Sequence, residues 1–227
     1  MFDNLSTFDT ILYVISTFST LLPFLICILI FKHLQRDSKI LMAYFFLMSL
    51  SEVLSLYFAS QKISNHWMAH FIAIIDYSFL MYVFSLWLEN KKGAELLQKS
   101  IPVYWVLWVL YIGFNGEGIF SQFYITHTIS SLALILTSFY MLYQLAVHPD
   151  VILQQDYRSW ITIGVIFFYS GSLLVFSATQ IADMKFLWLL WYFHVGFNIL
   201  HNTFYSIGIW FIKYQQEVLQ KRSLVKV

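Results

Sequence analysis

Charged residues are scarce in this chain of 227 residues, since Asp, Glu, Lys and Arg together make up 11% of the sequence. A soluble domain carries about 25% charged residues, so this chain cannot coat a water-facing surface of its size. Apolar residues reach 59% and aromatic residues 20%, which excludes the disordered and low-complexity classes. The composition therefore indicates an integral membrane protein.

Cysteine and excess positive charge are also nearly absent. Cys27 is the single cysteine, which excludes an intramolecular disulfide and a cysteine-based metal site. The formal net charge of +1 lacks the basic excess that a nucleic-acid-binding protein needs, so we expect no nucleic-acid partner. No Lys or Arg precedes Lys32. The first apolar segment therefore lacks the basic region of a signal peptide and is expected to remain as a membrane span.

Long apolar runs are what the sequence has in abundance. A helix crosses a bilayer core of about 30 Å with about 20 mostly apolar residues. We predict an all-α fold, a polytopic seven-transmembrane-helix bundle that forms one domain over residues 1–213, with a short basic cytoplasmic tail at residues 214–227. The fourth span is the shortest, because we interpret residues 115–118 as the turn that follows it. The predicted spans are residues 8–31, 40–60, 67–88, 101–120, 121–146, 158–179 and 186–212.

The basic residues test this span count independently. When the seven spans alternate in direction, 11 of the 13 Lys and Arg residues fall on one side of the membrane, and only Lys62 and Lys185 fall on the other. Short cytoplasmic loops carry an excess of Lys and Arg. The bias predicts an N-terminus outside and a C-terminus in the cytoplasm, in a multi-pass protein of the cell membrane.

Ionisable residues inside predicted spans mark functional sites by default, because they are costly to bury in lipid. At a rise of 1.5 Å per residue, Glu52 on the second span and Asp76 on the third lie at a similar height, about 3 Å outward of the midplane. His194 on the seventh span lies about 6 Å outward. His127 on the fifth span lies nearer the outer surface. If these helices face a common interior, the four residues line a cavity that opens outward.

The seventh span carries a polar stripe. His194, Asn198, His201, Asn202 and Tyr205 occupy one continuous helix face. Lipid cannot satisfy such a row of donors and acceptors, so the stripe must face the bundle or a water-filled cavity. Hydrogen bonding between helices is the alternative to ligand contact. It is favoured for Asn202 and Tyr205, whereas both interpretations stand for His194 and Asn198.

Small residues on the sixth span predict close helix packing. Gly164 stands one heptad before Gly171, which belongs to the segment Tyr169-Ser170-Gly171-Ser172. Small residues let helix backbones approach closely. We favour tight packing over ligand contact for this segment.

Glu52, Asp76 and His194 also allow two chemical hypotheses. Histidine and carboxylate groups are zinc ligands, so these three residues are the candidates if the protein holds a metal ion; otherwise we expect no cofactor. The two acids are also candidates for proton transfer, because intramembrane acids serve proton-coupled transporters. We detect no inverted repeat of the kind that many transporter folds contain.

The sequence resembles small bacterial seven-helix membrane proteins of unknown function found in Bacteroidota. The resemblance is carried by Glu52, by the segment from Trp160-Ile161 to Tyr169-Ser170-Gly171, and by the pattern Trp191, His194, Asn198 and Asn202. It covers nearly the whole chain. It implies the membrane half of a bacterial sensor, a functional inference by analogy.

A partial resemblance links the chain to the CREST membrane hydrolases. That group has seven helices, an Asp in the middle of the third and His-x3-His on the last. Asp76 and His194 match these positions, but Asn198 stands where the second histidine is expected. The departure removes one of the zinc ligands that the resemblance implies.

A sensory or signalling module is the function that these patterns favour, ahead of an enzyme. Besides the lipid bilayer, its expected partners are a small-molecule or lipid-like ligand in the outward-facing cavity and a cytoplasmic signalling protein. The alternatives are an intramembrane hydrolase, a small-solute or proton-coupled transporter, and a structural subunit of a larger complex.

Overall fold

Helices account for nearly all of the chain. The computed structural model describes residues 7–61, 63, 65–114, 124–179 and 184–225, and within these ranges it contains no β-strand. The all-α fold class is therefore confirmed. The long helices are α1 Thr7–Leu29, α2 Arg36–Ser60, α3 His66–Trp87, α4 Lys91–Phe114, α5 Tyr124–Val147, α6 Tyr157–Thr179 and α7 Met184–Val225.

Helices α1 to α6 are each long and apolar enough to cross a membrane. Helix α7 is longer than any of them, at 42 residues. Its first part carries the polar stripe, and these side chains lower its mean hydropathy.

Six helices form a closed ring. They pack on one another in the order α1, α2, α3, α5, α6 and α7, and α7 closes the ring against α1. The most extensive contact joins α6 to α7. Helix α4 lies outside this ring, because it packs on α3 and touches α5 only sparsely.

Tyr104 fixes the outer helix α4 to the ring. It is the one buried residue of α4. Its ring packs on that of Tyr77 with centroids 4.3 Å apart, and its hydroxyl donates a hydrogen bond to the carbonyl oxygen of Thr126 at 3.3 Å. Tyr77 in turn donates to the Ser100 hydroxyl of α4 at 3.0 Å. A few directed contacts therefore hold α4 against α3 and α5.

The start of α4 differs from the predicted span. The helix begins at Lys91 rather than at residue 101, so Lys99 stands within the helix instead of in a loop. Two local causes favour this early start. Asn90 accepts a hydrogen bond from the backbone N–H of Lys92 at 3.1 Å, the pattern of an N-cap, and Lys, Glu, Leu and Gln are good helix formers. Lys62 and the turn predicted at residues 115–118 lie outside the described residues.

One carboxylate ties three helices together at the end of the bundle where α1 joins α2 and α3 joins α4. We call this the basic end, since Lys32, Arg36, Lys39, Lys91 and Lys92 lie there. Asp37 of α2 accepts hydrogen bonds from the indole N–H of Trp87 on α3, at 2.7 Å, and from the hydroxyl of Tyr157 on α6. These bonds fix the relative positions of α2, α3 and α6 at that end.

Glycines set the close approach of α6 to α7. A Cβ atom at Gly171 would lie 2.3 Å from the ring of Phe197, and one at Gly164 would lie 2.8 Å from the ring of Tyr205. Neither distance is tolerable for carbon atoms that are not bonded. The predicted tight packing of this segment of α6 is therefore confirmed.

We expect Gly171→Ala to lower the midpoint of thermal unfolding of the protein purified in detergent. The added methyl group overlaps the Phe197 ring, and overpacking of this kind costs about 1–3 kcal/mol. Gly196→Ala is the matched control on α7, because a Cβ atom there would meet nothing within 4 Å. Equal midpoints for the two variants would contradict the packing described here.

Candidate functional site

A cavity of about 180 Å³ lies inside the ring. All six ring helices contribute to its wall, whereas no residue of α4 does. The lining residues of α3 lie in the first half of that helix, and those of α6 lie in its second half. Asp76 and Ser172 are examples. The cavity therefore lies towards the end where α2 connects to α3, which we call the α2–α3 end.

All the polar residues singled out in the sequence border this one cavity. Glu52 and Asp76, predicted from their matching heights, lie on its wall together with His194. Their part in ligand binding stays a prediction, but their shared location is a property of the fold. The complete set is Glu52, Asp76, His127, His194, Asn198, His201, Asn202 and Tyr205.

Tyrosines surround the carboxyl group of Asp76, whose residue is only 5% exposed. Tyr44 of α2 donates a hydrogen bond to Asp76 Oδ1 at 3.1 Å. The hydroxyl of Tyr169 on α6 lies near the same carboxyl group. The rings of Tyr44 and Tyr205 meet edge to face, with centroids 6.5 Å apart. Asp76 is thus bonded to α2 and lies close to a tyrosine of α6.

Glu52 has a different environment. It is half-buried, it lies near Tyr13 of α1, and it lines the cavity at the α2–α3 end. Among the described residues that line the cavity there is no Lys or Arg. Within the described part of the wall, the two acids therefore have no Lys or Arg side chain beside them.

Aromatic and histidine rings form the wall opposite α2. The ring of Phe168 lies 4.3 Å from that of His201 and 6.0 Å from that of His194, centroid to centroid. Tyr205 meets His201 edge to face at 4.9 Å. His127 of α5 lies near His194. These rings give the cavity an apolar side next to its polar one.

The amides of α7 bond to α1. Asn198 Nδ2 donates to the hydroxyl of Ser16 at 2.8 Å, and Asn202 Nδ2 donates to the hydroxyl of Ser19 at 3.0 Å. Hydrogen bonding between helices, predicted for Asn202, is thus observed. Asn198 likewise bonds to α1. It also borders the cavity, and its contact with a ligand stays a prediction.

Tyr44 and Ser172 also line the cavity. The sequence did not lead us to predict Tyr44, and we assigned the segment that contains Ser172 to helix packing. Tyr44, Met48 and Glu52 are spaced by four residues and share one face of α2, a signal that points to Tyr44. Ser172 follows Gly171 and is wholly buried. Its hydroxyl has no hydrogen-bond partner among the residues that the structure describes, and the residue is part of the cavity wall.

The metal-site hypothesis finds no supporting geometry. Across the described ranges of the chain, no three His, Cys, Asp or Glu side chains converge closely enough to hold one metal ion. Glu52, Asp76 and His194 share the cavity without forming such a group. What the wall offers is a set of separate polar groups around a small space.

Comparison with protein-family models, with curated proteins and with solved structures finds no match for this chain. Its class therefore follows from the fold and the site alone. The helix lengths and the apolar surfaces are those of a multi-pass membrane protein. Within that class, it has a polar and aromatic cavity enclosed by a ring of six helices.

We expect Tyr44→Phe to lower the midpoint of thermal unfolding, because the change removes the donor to Asp76 while it keeps the ring. Removal of one partner from a buried polar group costs about 1–3 kcal/mol. Tyr57→Phe, on the same helix but 58% exposed, is the control and should change the midpoint little. If both variants unfold alike, the Tyr44–Asp76 bond is not a stabilising one.

Proposed function

We propose that this chain is a seven-span protein of the bacterial inner membrane that binds a small or lipid-like ligand in an outward-facing cavity. It acts, in this proposal, as a sensory module through a cytoplasmic partner. The observation that carries the proposal is the cavity itself, because all eight predicted polar residues line it. Polar groups on so many helices converge at a cost to membrane insertion, which a binding function explains.

The place of α7 in the ring supports the count of seven spans. Helix α7 lies between α6 and α1, both of which are long and apolar enough to cross the membrane. A helix that closes such a ring crosses the same layer as its neighbours. Seven alternating spans put the N-terminus and the C-terminus on opposite sides. The excess of Lys and Arg at the basic end supports a cytoplasmic location for that end.

A reporter of cytoplasmic location fused after Val227 should be active, and the same reporter fused at the N-terminus should be silent. The expectation follows from an odd number of spans together with the distribution of basic residues. A reporter that functions only outside the cytoplasm should give the reverse pattern. Activity of one reporter at both ends would show an even number of spans and overturn the topology.

The buried apolar side chains between the cavity and the basic end support binding rather than transport. Towards the basic end from the cavity, apolar side chains of α2, α3, α5, α6 and α7 are buried in the interior of the bundle. Each of these residues is at most 2% exposed. They are Leu41, Leu80, Phe84, Leu134, Met141, Ile161 and Ile209.

Helix α7 provides the connection from the cavity to a cytoplasmic partner. It contributes five lining residues, from His194 to Tyr205, and continues without a break to Val225. Its 42 residues extend about 63 Å, compared with about 30 Å for the bilayer core. The resemblance to small bacterial seven-helix proteins supports the same sensory function by analogy.

The cavity should bind a ligand about as large as benzene. Its volume of about 180 Å³ is close to that of engineered protein cavities of about 150 Å³ that bind benzene. Benzoate, benzyl alcohol and benzylamine have this size and differ in charge. We expect at least one of them to raise the midpoint of thermal unfolding in a saturable way, because a ligand stabilises the state that binds it.

Ala73→Leu is the variant that tests where the probe binds. Ala73 is buried and lines the cavity, so the larger side chain fills the space and should abolish the shift. Ala43→Leu, on an exposed face of α2, should leave the shift intact. A shift that survives in Ala73→Leu would place binding elsewhere, and the absence of any shift with all three probes would contradict the proposed function.

A further inference from the structure

We propose that the ligand of this cavity is a small organic ammonium ion. The proposal rests on the ligand-binding function proposed above and names the chemical class of its ligand. Three independent features of the wall favour a cation over an anion or a neutral molecule. They are its charge, its hydrogen-bonding groups and its aromatic rings.

With its histidines neutral, the charged side chains that the structure describes in the wall have one sign. Glu52 and Asp76 contribute carboxyl groups, and the lining residues that the structure describes include no Lys or Arg. Glu52 makes no hydrogen bond or ion pair with the described part of the chain, so its carboxyl group is available to a ligand. A carboxylate taken out of water is costly unless a partner of opposite charge accompanies it. A cationic ligand provides that partner.

The hydrogen-bonding groups of the wall include acceptors that suit an ammonium ion. The amide N–H groups of Asn198 and Asn202 already donate to Ser16 and Ser19 of α1. These donors are therefore engaged and are not presented to an anion. Ser172, wholly buried and without a hydrogen-bond partner in the described ranges, offers oxygen lone pairs to the N–H groups of an ammonium ion.

Aromatic rings line the cavity beside the acids. Phe45 lies 5.3 Å from Tyr205, centroid to centroid, and both belong to the wall together with Tyr44 and Phe168. The face of an aromatic ring attracts a cation within about 6 Å, and ammonium ligands are recognised in this way. Carboxyl groups and aromatic rings in one wall form a suitable environment for a charged nitrogen that carries an apolar group.

Two pairs of probes isolate the charge of the ligand from its size. The first pair is benzylamine and benzyl alcohol. The second is choline and dimethylbutanol, in which carbon replaces the quaternary nitrogen. We expect each cation to bind the full-length protein in an uncharged detergent about tenfold more tightly than its neutral counterpart, and benzoate not to bind. The affinities are measured by titration calorimetry at neutral pH.

Glu52→Gln and Asp76→Asn should each weaken the binding of benzylamine about tenfold and leave that of benzyl alcohol unchanged. Glu89→Gln, at an 82% exposed side chain, is the control and should bind like the wild type. Asp76 is bonded to Tyr44, so its replacement can disturb folding. Glu52 has no such bond, and its variant therefore decides the question.

The outcomes separate the two proposals. Equal affinities for the charged and neutral members of each pair would overturn the ammonium ligand and leave the ligand-binding cavity in place. Tighter binding of benzoate would do the same. If no probe of any charge binds, the proposed function itself is contradicted. A preference for the cation that persists in Glu52→Gln and in Asp76→Asn would also overturn the assignment of these acids.

Discussion

The bond between the first and last helices is the constraint on which the rest of the structure depends. In a membrane, every polar group without a protein partner is costly, because lipid offers none. Helix α1 presents Ser16 and Ser19 to the two asparagines of the α7 stripe, and Asp9 accepts a hydrogen bond from Tyr192 near the α2–α3 end. This row of bonds closes the ring, and the closed ring creates an interior in which acids and histidines are sheltered from lipid.

The interior of the ring is divided into two halves of different character. The basic half is filled by apolar side chains and tied together by Asp37, which joins α2, α3 and α6. The other half contains the cavity, where Asp76 is held by Tyr44 and the rings of Phe168 and His201 meet. Buried apolar packing below a cavity is a suitable architecture for a binding site, since the packed side chains fix the positions of the helices that present the polar groups.

The sequence predicted the helices and the lining residues well, because both follow from periodicity and apolar length. Equal heights on antiparallel spans were enough to bring Glu52 and Asp76 together, and the spacing of the α7 stripe placed His194 beside them. The early start of α4 at Lys91 was missed, because a Lys-rich first turn looks like a loop when only apolarity is counted. The position of α4 outside the ring and the role of Asp37 were also beyond prediction. Both depend on which helices become neighbours, and Trp87 and Tyr157 are far from Asp37 along the chain.

Because α7 is long, a small tilt of this helix at the cavity would displace its far end. Tyr205 borders the cavity, and the helix continues for another 20 residues to Val225, which is about 30 Å. A tilt of about 5° at the cavity displaces the far end of such a rod by about 2.6 Å, given its rise of 1.5 Å per residue. Gln215 and Gln216 donate hydrogen bonds to the backbone carbonyl groups of Gln155 and His33. Helix α7 therefore passes beside the segments that connect α5 to α6 and α1 to α2 at the basic end. Under the proposed function, a tilt of α7 at the cavity would displace the end of the helix laterally beyond these loops.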